Sequence, residues 1–209
     1  MMTPRFPIED FDRWAKDYDR EAVVGRTFPF TGYTQLLRMI LRLVNPNSGT
    51  AILDLGIGTA NLARLFAHKG CEVWGVDFSP AMLAIAGDKL QGARLAQVDI
   101  REELPADFQR RFNHIVSAYT FHHFPLDEKV ALVKRFTSMH LVPGGRLCIG
   151  DIVFTDAAEE ERMRTRLGAG WEQEYYWLAD ESLAAFKAAG MQVVYTRVSS
   201  CAGVFLLQN

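Results

Sequence analysis

The stretch Ile52-Leu53-Asp54-Leu55-Gly56-Ile57-Gly58-Thr59-Ala60-Asn61 runs an apolar segment into two closely spaced glycines. Glycine reaches backbone angles closed to residues with a Cβ and lets a ligand come close to the chain. A helix starting just beyond such a turn offers unpaired N–H groups. Strand, glycine turn and helix, in that order, cradle a nucleotide-bearing ligand at the carboxyl edge of a parallel sheet. The same pattern also serves as a plain tight strand-to-helix turn. Two further acids tilt the choice. Asp77 ends Val73-Trp74-Gly75-Val76-Asp77, where a carboxylate accepts both ribose hydroxyls of an adenosine. Asp99 ends Gln97-Val98-Asp99, near the place of an adenine amino group. Each acid alone reads as a helix cap or a solvated loop residue. At successive strand ends on one sheet edge, Asp54, Asp77 and Asp99 point instead to an adenosine-bearing cofactor. Gly56, Gly58, Thr59, Phe78, Ile100 and Ala118 would border the same site.

His122 and His123 follow the fourth predicted strand on that edge and titrate near neutrality, which makes them candidate catalytic bases. The alternative is that one packs beneath the loop and the other caps it or touches adenosine. No metal site is expected, because adjacent residues point apart and no ligand cluster with metal spacing surrounds them. Trp171, Tyr175 and Tyr176 fall in the aromatic run 171–177 and could wall a small substrate, with Glu172 or Glu174 facing a polar acceptor. They could equally pack this segment onto the sheet. Asp151 is a further acid that could face the acceptor.

These residues need a scaffold. Phe11, Trp14, Ala15 and Tyr18 share one helical face, and Tyr33, Leu36, Leu37, Ile40, Leu41 and Val44 share another. Gly25 to Phe30 reads as the loop between them. From Thr50 apolar strands alternate with helices. Strands are expected at 51–55, 71–76, 93–98, 114–118 and 146–149, and helices at 59–68, from Ser79-Pro80, and at 127–139. Pro143-Gly144-Gly145 is the turn into the fifth strand. A last helix at 180–189 closes at Gly190. The strands 191–195 and 203–207 are joined too briefly for anything but an antiparallel pair. The expected fold is α/β: a seven-stranded, mostly parallel sheet with helices on both faces, a C-terminal antiparallel hairpin and two N-terminal cap helices. The cap would span 1–48, and the binding domain 49–209 with a substrate-side insertion at about 154–179. That insertion starts with a charged helix supported by pairs such as Glu160 with Arg164.

The chain has 209 residues, 49% hydrophobic and 23% charged, with a formal net charge of −2. This is the composition of an ordinary globular domain, with no global charge for nucleic acid or an anionic membrane. Arg38 and Arg42 read as a solvated helix face. No apolar run reaches the ~18 residues of a membrane span, and Met1 to Asp12 lacks the apolar core of a secretory signal. Cys71, Cys148 and Cys201 are odd in number and far apart, as expected of buried thiols in the cytoplasm. The expected partner is a small molecule; oligomeric state is open.

The cofactor is narrowed by what the turn lacks. A dinucleotide fingerprint wants glycine or alanine where Asn61 stands, and no P-loop lysine follows. The motifs resemble those of class I S-adenosylmethionine (SAM)-dependent methyltransferases. Their acid-x-Gly-x-Gly is matched by Asp54, Gly56 and Gly58, their ribose acid by Asp77 and their adenine acid by Asp99. Leu141-Val142-Pro143-Gly144-Gly145 is similar to their turn before strand five, and Ala60 stands where many members have a third glycine. Trp14-Ala15-Lys16-Asp17-Tyr18-Asp19 resembles the W-x-x-x-Y-D opening of a small bacterial group of these enzymes, and 118–124 their segment after strand four. The resemblance implies an N-terminal helix capping the cofactor, with Tyr18 lining the pocket; the helical spacing of Tyr18 equally suits a core position. It implies SAM as cofactor and methyl transfer to a small molecule. A non-catalytic protein binding SAM or S-adenosylhomocysteine (SAH) is the alternative. An NAD(P)-dependent oxidoreductase is disfavoured by Asn61 and the terminal hairpin.

Overall fold

The computed structural model describes residues 8–24 and 27–208. The readings placed on 1–7 and on Gly25 and Arg26 lie outside them. Two helices come first, α1 (Ile8–Val24) and α2 (Tyr33–Val44). The alternating part follows: β1 (Ala51–Leu55), α3 (Ala63–Ala67), β2 (Glu72–Asp77), α4 (Pro80–Lys89), β3 (Arg94–Gln97), β4 (Phe112–Ala118), α5 (Leu126–His140) and β5 (Leu141–Phe154). Then come α6 (Ala157–Leu167), β6 (Trp177–Leu178), α7 (Ala179–Ala188), β7 (Val193–Arg197) and β8 (Ala202–Gln208). Among the described residues no helix is long and apolar enough to cross a membrane.

The sheet runs β3-β2-β1-β4-β5-β8-β7. β3, β2, β1, β4 and β5 are parallel, and β8 is antiparallel to both β5 and β7. The mostly parallel sheet with its terminal antiparallel pair is therefore as the sequence predicts. A two-residue eighth strand, β6, was not foreseen; it pairs with β5 beyond the main path. Strand order reverses between β1 and β4, and a sheet opens its ligand crevice at such a switch point.

Both faces are covered, so the strands alternate between two apolar layers. On β5, Cys148, Ile152 and Phe154 face the layer under α2 and α3, while Leu147, Ile149 and Val153 face that under α5 and α7. Ser79 caps α4 by accepting the Met82 N–H at 3.2 Å, with Pro80 in the first turn, as its sequence foretells.

Three local expectations need correction. The helix over 59–68 shrinks to Ala63–Ala67, because Gly58 and Ala60 hold positive φ and keep the chain in turns until Leu62. The Pro143 turn lies within β5: the pairing steps from Phe112↔Leu141 to His114↔Arg146, five residues against two. In α6 the direct ion pair of Arg164 is with Glu161 at 2.5 Å, while Glu160 feels its charge without contact. Cys148 and Cys201 are buried and Cys71 partly so, and all three are unpaired. Arg38 and Arg42 are exposed, as expected.

Candidate active site

At the end of β1 the chain reverses at once, the N–H groups of Gly56 and Ile57 both donating to Val76 O at 2.9 Å. Gly56, Gly58 and Ala60 have φ of +70°, +52° and +66°, which costs alanine about 1–2 kcal/mol. The two glycines serve different ends. A Cβ on Gly56 would lie 2.2 Å from Thr120 Oγ1, so packing against the β4 loop demands this glycine, not the approach of a ligand. A Cβ on Gly58 would meet nothing within 4 Å and would stand in open space.

Asp77 ties the turn to β2. Its Oδ2 accepts the Gly58 N–H at 2.8 Å and its Oδ1 the Ser79 N–H at 2.9 Å. Burial pushes its pKa up to about 6, against the pull of the Ser79, Gly58 and Phe78 N–H groups. Asp54 is buried beneath the turn; burial, then the Asp77 charge, push its carboxyl well above the usual range. Its Oδ2 has no hydrogen-bond partner among the described residues, a state costing roughly 1–3 kcal/mol until a donor arrives. Asp99 is gripped by Arg101, whose Nε lies 3.0 Å from both carboxylate oxygens and whose Nη2 is 2.5 Å from Oδ2. Burial raises the Asp99 pKa, but Arg101 outweighs it and the carboxyl sits below its usual range.

These acids, all ten expected cofactor residues and both histidines border one cavity of about 160 Å³ at the switch point. Helix α1 roofs it with Phe11, Trp14 and Tyr18. Tyr18 meets both of its readings, lining the cavity while packing edge-on against Trp14 at 4.8 Å and Phe30 at 5.8 Å.

Two carboxylates on α1 fasten the roof, and sequence reasoning missed both as site residues. Asp12 Oδ1 accepts from Ser79 Oγ at 2.5 Å and from Ala81 N at 3.3 Å. Asp19 Oδ1 accepts from Thr59 Oγ1 at 2.5 Å and from Asn61 Nδ2 at 2.9 Å, while Oδ2 pairs with Lys89 of α4. Lys89 Nζ also donates to Thr59 O at 2.8 Å. Burial raises the Asp19 pKa; Lys89, Thr59 and Asn61 lower it further, leaving it below normal. The signal was present: Asp19 closes W-x-x-x-Y-D, and Asp12 lies two helical turns before it on the same face. Asn61, read only as an argument against a dinucleotide, is a strut between Asp19 and Tyr33 Oη, 3.1 Å away.

Beyond β4, Tyr119 holds φ +56°, rare for a bulky residue, and a 3-10 turn carries Phe121 to His123. His122 Nδ1 lies 2.6 Å from Asp151 Oδ1, and His123 Nδ1 lies 3.2 Å from Glu174 Oε2. The turn brings the two rings together, centroids 4.1 Å apart and planes inclined by 51°, where adjacency suggested separation. With Glu174 they form a group whose ligand atoms lie within 4.8 Å of one another and could hold a metal ion. Burial, then His122, lower the His123 pKa.

The aromatic segment sits elsewhere than expected. Trp171 stacks on Phe28 at 5.6 Å and meets Tyr176 at 5.0 Å and Phe154 at 6.2 Å, so it fills a cluster behind the cavity wall. Tyr176 backs His122 at 6.5 Å. Tyr175 is exposed, its backbone N–H donating to His122 O at 3.0 Å. None of the three borders the cavity. Phe11, Phe30 and Tyr119 supply its apolar wall instead.

A methyltransferase-domain family model matches residues 52–145. The chain is 32% identical over 201 residues to the uncharacterized methyltransferase YrrT of Bacillus subtilis (strain 168), covering 90% of each chain. It is 30% identical over 202 residues to the uncharacterized methyltransferase GK2543 of Geobacillus kaustophilus (strain HTA426), covering 91% of each. Its fold is similar to that of magnesium protoporphyrin IX methyltransferase from Synechocystis PCC 6803 with bound SAH. The TM-score is 0.74 at 16% identity, over 96% of this chain and 94% of that one. By this kinship along nine-tenths of its length, the chain belongs to the SAM-dependent methyltransferases of the Rossmann-like class.

Proposed function

We propose that this enzyme moves the methyl group of SAM to a small-molecule acceptor within the cavity under α1. The observation that carries this reading is the open space before Gly58, flanked by Asp77 and by the unsatisfied Asp54 Oδ2. Asp77 would hold the ribose hydroxyls and Asp99 the adenine amino group, with Phe78, Ile100 and Ala118 against the base. The turn Gly56 to Thr59 and Asp54 would hold the methionine portion, whose ammonium group is the donor that Asp54 Oδ2 lacks. SAM supplies an activated methyl group; the protein's part is to align the acceptor and exclude water. Helix α1 acts as the roof in this reading, Tyr18 meets the cofactor, and His122 and His123 stand at the acceptor end. Trp171, Tyr175 and Tyr176 support that end from behind. The three unpaired cysteines suit the cytoplasm.

Titration calorimetry with SAH, followed by transfer of labelled methyl from SAM into a metabolite extract, tests the reading. We expect SAH to bind, Asp77→Ala to weaken it at least tenfold with the fold intact, and the label to enter one small-molecule acceptor. SAH bound without transfer would leave a binding protein, and unchanged affinity in Asp77→Ala would remove the cofactor assignment.

A further inference from the structure

Asp151 lies fully buried on β5 and takes four hydrogen bonds, two of them from one residue. The His122 backbone N–H reaches Oδ2 at 3.0 Å, and the His122 ring Nδ1 lies 2.6 Å from Oδ1. The Ile152 N–H adds a bond of 2.8 Å to Oδ1, and the Trp177 indole N–H one of 3.1 Å to Oδ2. A carboxylate this deep is costly unless it stays paired. Burial pushes the Asp151 pKa up, but His122, and then Lys129, hold it below the usual range, so it is ionised. An ionised carboxylate only accepts, so the network places a proton on Nδ1 and leaves Nε2 as the ring's remaining polar atom. His122 borders the cavity, and its Nε2 makes no hydrogen bond among the described residues. Its backbone carbonyl is pinned as well, accepting the Tyr175 N–H at 3.0 Å. His123 is held less closely, at 3.2 Å from Glu174.

We propose that Asp151 is a positioning residue that fixes His122 as a general base, and that the acceptor is a neutral hydroxyl or thiol compound. This rests on the reading of the cavity as the site of methyl transfer from SAM. A bond forms between the acceptor oxygen or sulfur and the methyl carbon. The carbon–sulfonium bond breaks, its electron pair staying on sulfur to give SAH. The acceptor's proton passes to His122 Nε2, and the imidazolium, paired with Asp151, later returns it to solvent. An acceptor that is already anionic would need none of this machinery. The apolar wall of Phe11, Phe30 and Tyr119 suits an uncharged body carrying the hydroxyl or thiol.

The charged and titratable groups around His122 are Asp151 on β5, Tyr119 and His123 on its own loop, Glu174 and Tyr176 before β6, and Lys129 on α5. Nitrogen-15 NMR of the SAH complex reads the tautomer. We expect His122 protonated on Nδ1 and bare on Nε2, and Asp151→Asn to abolish that preference; protonation on Nε2 in the wild type overturns the proposal alone. Transfer from labelled SAM to 4-methylphenol and benzyl mercaptan is compared with benzoate, which needs no base. We expect a phenol or thiol product. Asp151→Asn and His122→Gln should each lower kcat at least a hundredfold, with KM and SAH affinity within about twofold. The Asp151→Asn rate should recover as pH rises toward the acceptor's own pKa. Methylation of benzoate alone, or full kcat in either variant, overturns the proposal. Absence of SAH binding to the wild type defeats instead the cofactor reading on which it rests, and calorimetry registers that separately.

Discussion

Asp19 Oδ1 and Thr59 Oγ1 stand 2.5 Å apart, joining the first helix to the glycine turn across 40 residues of chain. The same carboxylate holds Asn61 and Lys89, so four side chains from three parts of the chain meet at one charge. Asp19→Ala strips all of these bonds at once. Its side chain is 38% exposed, so solvent screens part of the effect, and about 1–2 kcal/mol is expected. The thermal midpoint should fall by roughly 2–8 °C, with a tenfold loss of SAH affinity. Asp17→Ala, which removes only an exposed pair with Arg20, should do neither. Calorimetry and a thermal melt on both variants decide the matter.

Acid should weaken the cofactor's hold through Asp77. An unfolded aspartate titrates near 4, whereas in the folded protein this group titrates at about 6. Between those values the folded state binds more protons. The contribution of Asp77 to stability is thus complete below about pH 4 and is lost as pH rises through about 6. Asp54 acts in the same direction. Ribose hydroxyls donating to the carboxylate favour its ionised form, so SAH affinity should rise by up to about tenfold per pH unit from 5 to 6, then level off. Proton release on binding at pH 5.5, read in buffers of different ionisation enthalpy, should accompany it. Asp77→Asn should bind weakly with no such slope. A flat wild-type affinity between pH 5 and 7.5 would refute this account.

The two turn glycines should fail differently. Gly56→Ala drives a Cβ onto Thr120 at 2.2 Å and should unfold or strongly destabilise the enzyme. Gly58→Ala pays only for its φ of +52°, about 1–2 kcal/mol, so it should fold. Its methyl group enters the open space before the turn, and SAH affinity should fall tenfold or more. Equal melting temperatures for the two variants would contradict the geometry.

Trp171→Ala should act on stability rather than on binding. Removing its contacts with Phe28, Phe154 and Tyr176 should cost about 2–3 kcal/mol for this half-buried ring, with SAH affinity unchanged. A raised KM for the acceptor at an unchanged melting temperature would return Trp171 to the substrate wall.

Much of the architecture is legible in the residues because it rests on short-range rules. The apolar run 51–55, the Ser79-Pro80 cap and the brief link before β8 each declare themselves locally. The helix after the turn misled, since Thr59 to His68 has helical spacing while Gly58 and Ala60 adopt positive φ and delay the helix to Ala63. The cavity's acids were readable from their places at strand ends. The grip of Arg101 on Asp99 was not, and the signal of Asp12 and Asp19 on α1, though present in their spacing, gains its meaning only from partners that the fold brings near. The aromatic run 171–177 shows the converse. Its composition suits a binding wall and a packed cluster equally well, and only the position of Phe28 separates the two.

Thr120 fits against Gly56 so closely that no methyl group could come between them, and it stands two residues before His122. In the proposed reading, the turn that would seat the donor and the ring that would face the recipient are thereby joined through one packed contact. Their spacing would then be set by how the two loops pack against each other. On that reading, a change of recipient is expected to come from the first helix and the loop after it, because altering the Gly56–Thr120 contact would shift both halves of the chemistry together.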